Sequence, residues 1–113
     1  MLKKQYVKSR NIWKVTFELG RDDEVPAGLE AETVHVVGEF NDWETDRTPM
    51  KRGKGGAFRA TVELDPGQEM EFRYLVNGEH WCNDRDADAY VPGGMGPNNC
   101  VAVLPADPDA LDQ

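Results

Sequence analysis

This chain has no apolar run long enough to cross a bilayer, few basic residues and only two cysteines. Each shortage excludes something. Without some twenty consecutive apolar residues no membrane-spanning helix is expected. The basic start, Met1 to Gln5, leads into Tyr6-Val7-Lys8-Ser9-Arg10 and not into an apolar core, so no secretory signal is expected either. Basic residues number 13 against 21 acidic ones, for a net charge of −8. With no basic stripe to relieve that balance, neither a phosphate backbone nor an anionic membrane surface is a suitable partner. Cys82 and Cys100 lack histidine companions at ligand spacing and cannot build a tetrahedral zinc site alone. With no export signal they are expected to be reduced thiols in a cytoplasmic protein.

No segment of useful length repeats every 3.6 residues, so no substantial helix is expected. Period-two alternation is abundant instead. From Ile12 to Leu19, the residues Trp13, Val15, Phe17 and Leu19 alternate with Lys14, Thr16 and Glu18, the pattern of a half-buried strand. Residues 33–37 form a second strand closed by Gly38, and Met50-Lys51-Arg52 a short edge strand. In 57–64 the inward residues are Phe58, Ala60, Val62 and Leu64; in 70–76 they are Met70, Phe72, Tyr74 and Val76, leaving Glu71, Arg73 and Leu75 outward. Asp65-Pro66-Gly67-Gln68 between them is a strong turn, and the two read as a hairpin. Asn77-Gly78 marks another tight turn before His80-Trp81-Cys82. Residues 83–99 show no periodicity, and 100–104 form a last short strand.

About seven short strands with turns between them, seven Pro and eleven Gly scattered along the chain, predict an all-β, antiparallel sandwich. At 113 residues there is room for one domain, assigned to 1–104, with an acidic tail over 105–113. The acidic loop 21–32 is assigned no site.

Catalytic patterns are missing. His35 has no nucleophile near it to activate and reads as a surface or hydrogen-bonded strand residue. The acids lie in loops and tails, without the flanking pair a glycosidase needs. Gly53-Lys54-Gly55-Gly56 lacks the spacing of a phosphate loop. Asp84-Arg85-Asp86-Ala87-Asp88 opens like a calcium loop, but Ala89 and Met95 stand where Gly and Glu are required. No metal or cofactor is expected. The more informative set is aromatic and polar. Trp43 follows a strand at a turn, Trp81 follows Asn77-Gly78, Arg73 projects from an outward face, and Asn98-Asn99 re-enter a strand. Flat indoles suit the C–H face of a sugar, and guanidinium and amide groups suit its hydroxyls. Trp13, by contrast, reads as a core residue.

Four motifs in order carry a resemblance. They are Val36-Val37-Gly38-Glu39-Phe40-Asn41-Asp42-Trp43 with Pro49-Met50-Lys51-Arg52; Phe72-Arg73-Tyr74-Leu75-Val76-Asn77-Gly78; Trp81-Cys82-Asn83-Asp84; and Gly96-Pro97-Asn98-Asn99. Together they resemble the isoamylase early-set domains, or family 48 carbohydrate-binding modules, which include the glycogen-binding domain of AMP-activated kinase β subunits. The resemblance implies an immunoglobulin-like sandwich that binds α-1,4-glucans such as glycogen, starch or maltodextrin. It implies Trp43 and Trp81 as the cradle, Arg73 in place of a sugar-binding lysine, Asn98 as a hydrogen-bonding amide and Met95 in place of a leucine that reaches the glucan. Relative to that pattern there is one extra residue between Gly78 and Trp81 and one fewer before Asn98. No catalytic barrel accompanies these motifs, so a non-catalytic module is expected. The alternative is a docking module for a glycogen-metabolising enzyme or regulator, with no sugar binding of its own.

Overall fold

The computed structural model describes residues 2–20, 30–84, 87–93 and 96–107, with the side chains of 54, 93 and 96–98 left aside. Nine strands are present among them: β1 Leu2–Val7, β2 Ile12–Leu19, β3 Val34–Gly38, β4 Lys51–Arg52, β5 Phe58–Leu64, β6 Gln68–Val76, β7 His80–Cys82, β8 Ala89–Gly93 and β9 Gly96–Leu104. The helical content of the described residues is two three-residue 3-10 turns, and no helix among them is long and apolar enough to cross a membrane. One sheet has the order β1-β2-β5-β4; the other has β3-β6-β9-β8, with β7 also on β6. Every pairing is antiparallel. The fold is the expected all-β, immunoglobulin-like sandwich, with more strands than alternation revealed.

The apolar faces meet as the alternation requires. Trp13, Val15, Phe17 and Leu19 of β2 lie opposite Phe72, Tyr74 and Val76 of β6 in one buried cluster. Phe17 and Phe72 join the sheets edge-on, their ring centres 4.9 Å apart, a geometry the ring quadrupoles favour. Trp13 is a core residue as expected, 2% exposed, and its indole N–H donates to the Pro105 carbonyl at 3.0 Å. Cys82 and Cys100 are buried thiols on inward positions of β7 and β9.

One pairing differs from expectation. β5 and β6 are not a hairpin: β5 pairs with β2 and β4, and β6 with β3, β7 and β9. The turn between them carries the chain from one sheet to the other, and Gly67, at φ +80, donates its N–H to Leu104 O at 2.7 Å. Two strands facing each other across a sandwich show the same inward alternation as two neighbours in one sheet. Periodicity cannot separate the cases.

Two strands escaped the sequence reading. β1 has Lys4 on its inward side between Leu2 and Tyr6, which hides the alternation. That ammonium bonds Asp88 Oδ2 at 2.6 Å and the Val103 carbonyl at 3.0 Å, fastening the edge of one sheet to the other. β8 and the start of β9 lie in the stretch without periodicity, where a register shift between Val91 and Gly93 breaks the pattern.

Candidate functional site

The outward side of the β3-β6-β9-β8 sheet, with β7 on β6, carries Arg73 and Trp81, two of the residues singled out as a sugar platform. Alternation along β6 puts Phe72, Tyr74 and Val76 in the core, so Glu71, Arg73 and Leu75 face out. The register then sets their neighbours: Val37 beside Arg73, Trp81 beside Leu75, and Val101 beside Glu71. Val37, Leu75 and Val101 are buried although they lie outside the core cluster. They form an apolar floor under the longer side chains of this face.

On that floor Arg73 and Trp81 meet. The guanidinium carbon lies 5.4 Å from the centre of the Trp81 ring, within cation–π range. Arg73 Nε also donates to Asn83 Oδ1 at 3.2 Å, which fixes the plane of the fork. The Asn77-Gly78 turn aims β7 at this position. Asn77 and Gly78 take φ of 54° and 72°, the left-handed values of a two-residue reversal, and Glu79 N–H closes on Val76 O at 3.1 Å. Just beyond, Asp84 is 1% exposed. Its carboxylate accepts the Tyr74 hydroxyl at 2.6 Å, its carbonyl accepts the Tyr90 hydroxyl, and its N–H donates to Cys100 Sγ at 3.1 Å. The strand bearing Trp81 is therefore anchored from the core side. Trp81 itself remains 42% exposed.

Trp43 stands on the turn that ends β3. Asp42 and Trp43 both have left-handed backbones, at φ 57° and 59°; for a bulky aromatic residue this is a strained conformation that the surroundings must enforce. The enforcing residue is Asn41, 3% exposed. Its Oδ1 accepts the Gly38 N–H, and its Nδ2 donates to Val36 O and Thr48 Oγ1, each at 3.0 Å. Trp43 N–H then closes on Gly38 O at 2.8 Å. Gly38 admits no side chain, because a Cβ would lie 2.4 Å from Glu71 O. The result is a 38% exposed indole on a braced turn.

Of the expected site residues, Arg73 and Trp81 are brought into contact. Trp43 is placed at the end of the strand neighbouring β6 and makes no ring contact with Trp81 among the described residues. Met95 lies outside the described residues, as does the Asn98 side chain. The amide next to it, Asn99 Nδ2, reaches Glu71 Oε1 at 3.1 Å and so joins the outward face. Sequence reasoning missed Asn83, the partner of Arg73, and Asn41. Neither carries a signal beyond its place within a motif. His35 is a half-buried residue of β3, and its Nδ1 is buried without a hydrogen-bond partner.

A family model described as the glycogen recognition site of AMP-activated protein kinase matches residues 28–109. The chain belongs to this glycogen-recognition family. The match covers β3 to β9 and with them the face bearing Arg73 and Trp81. No curated protein matches the chain. Membership makes it a carbohydrate-binding module of a kind that typically lacks catalysis. Among the described residues no group of three or more His, Cys, Asp or Glu is placed to hold a metal ion.

Proposed function

We propose that the chain is a non-catalytic module binding α-1,4-glucans on the outward face of the β3-β6-β9-β8 sheet. The observation that carries this reading is the exposed Trp81 indole with the Arg73 guanidinium held over it by Asn83, in a chain of the glycogen-recognition family. Trp81 takes the apolar face of a glucose unit, Arg73 donates to its hydroxyls, and Trp43 supplies a second platform from its braced turn. Asn98 and Met95 complete the set that the family resemblance implies. An open surface of this size covers a few glucose units, so the expected affinity is micromolar to millimolar, about 4–8 kcal/mol. Multivalent glycogen strengthens it where several copies are tethered together.

The docking alternative calls for a large exposed apolar patch away from the tryptophans. The large exposed hydrophobic residues among those described are Trp43, Trp81 and Tyr90, which favours the sugar reading. Tryptophan fluorescence titrated with maltoheptaose and with a β-1,4-linked glucan of equal length tests it. A saturable response to the α-glucan alone is expected. Trp81→Ala weakens it at least tenfold, since burying a large aromatic side chain contributes about 1.5–3 kcal/mol. A chain with no response to maltoheptaose, or with unchanged affinity in Trp81→Ala, refutes the proposal.

A further inference from the structure

The outward face continues past Trp81 in a straight row. Pro49 bridges to His35, His35 pairs with Leu75, and Leu75 pairs with Trp81. The flanking residues Val34, Val36, Met50, Tyr74 and Val76 all belong to the core, so alternation turns the four row residues to the same outer side. At about 4.8 Å between neighbouring strands, the row extends roughly 14 Å from Pro49 to Trp81. Leu75 is 3% exposed at its centre, while Pro49 and Trp81 are exposed at its ends. The row is thus a shallow bed with an apolar floor and two raised rings.

His35 supplies the polar group of this bed. Its Nδ1 is buried with no partner. A buried acceptor without a donor costs less than a buried N–H without an acceptor. That cost favours the ring N–H on Nε2, which has no hydrogen-bond partner among the described residues, in a side chain that is half-buried as a whole. The side chain therefore offers a single donor, placed in the row between Pro49 and Leu75.

We infer that His35 and Pro49 form a second saccharide subsite, in which His35 Nε2–H donates to a glucose hydroxyl and the Pro49 ring meets the sugar's C–H face. The inference rests on the glucan reading above and extends it. A chain seated on Trp81 continues over Leu75 to His35, about 10 Å away across two strand spacings. Short maltodextrins seated on Trp81 end before His35; longer ones gain this further contact.

Calorimetric titration with maltotriose and maltoheptaose tests this in the whole chain. The wild type is expected to bind maltoheptaose more tightly. His35→Leu, which keeps the strand and removes the donor, weakens maltoheptaose about fivefold, the loss of one hydrogen bond, and changes maltotriose by less than about twofold. Equal effects on both sugars, or no effect on either, overturn the inference while leaving the glucan reading in place. Absence of binding to any maltodextrin overturns both. Should His35→Leu fail to fold, the imidazole nitrogen spectrum of a His80→Gln chain decides. Maltoheptaose, and not maltotriose, is then expected to shift the remaining Nε2 resonance, and a shift with neither sugar, or the same shift with both, overturns the inference.

Discussion

Replacing Asn41 by alanine tests whether the Trp43 turn is braced in the way its hydrogen bonds indicate. The substitution removes one acceptor and two donated bonds at 3.0 Å from a site only 3% exposed. Gly38 N–H and Val36 O then lose their partner within the protein, whereas Thr48 Oγ1, part-buried and rotatable, finds another. A buried polar group left unsatisfied costs about 1–3 kcal/mol, so two give about 2–4 kcal/mol once partial relaxation toward water is allowed. For a domain of this size about 1 kcal/mol lowers the melting temperature by about 4 °C. The expected fall is therefore about 8–16 °C. A second effect follows from the strain at Trp43. Its left-handed backbone, costing on the order of 1–3 kcal/mol, is maintained by the turn closure, and without Asn41 it relaxes and moves the indole. Glucan affinity should then fall in Asn41→Ala at temperatures well below its melt, while Thr48→Ala, which loses a single bond, melts within about 4 °C of wild type and binds normally. Calorimetric melts with parallel sugar titrations measure both. An Asn41→Ala chain melting within about 2 °C of wild type would refute the reasoning.

Other outcomes are equally definite. Gly38→Ala puts a methyl group against the Glu71 backbone and should destabilise the fold by about 1–3 kcal/mol, the range for overpacking, read by urea denaturation; a neutral result would mean that β3 and β6 separate without cost. Tyr74→Phe removes the hydroxyl from buried Asp84 and should cost about 1–3 kcal/mol in the same assay, with Asp84→Ala at least as severe. Arg73→Lys keeps the charge but loses the planar contact with Trp81 and the fixed bond to Asn83. It should weaken maltoheptaose about three- to tenfold, or roughly 0.5–1.5 kcal/mol, at unchanged melting temperature.

The legible parts of this fold were those where one side of a strand is uniformly apolar. β2, β5 and β6 could be read residue by residue, and Trp13 could be placed in the core, because burial on one face writes period two into the sequence. β1 could not, because Lys4 occupies an inward position and reaches past the core edge to Asp88 and Val103. A lysine in that place looks like an interruption, yet its stem packs while its ammonium finds acceptors. Which strands share a sheet was also hidden, as β5 and β6 demonstrate. At the site, Trp81 and Arg73 were visible as residue types and their outward direction followed from alternation. Asn41 and Asn83 were not, since an amide that braces a turn or steadies a guanidinium has no periodic signature. His35 was read as ordinary because only its neighbours reveal that Nδ1 is sealed.

The ties between the two ends of the chain bear on how it folds. Lys4 reaches Val103 across 99 residues, and Trp13 reaches Pro105 across 92. Contacts of such sequence separation form only after nearly the whole chain has been ordered, because loop closure must be met before they contribute. During synthesis these two contacts therefore wait for Val103 and Pro105 to emerge. Until then the part of the core that β9 completes with Cys100, Ala102 and Leu104 stays open, and chaperone binding is expected to concentrate there. A chain halted before Val103 should stay in that waiting state, with β1 exchanging its amide hydrogens long before the strands around Phe72 do.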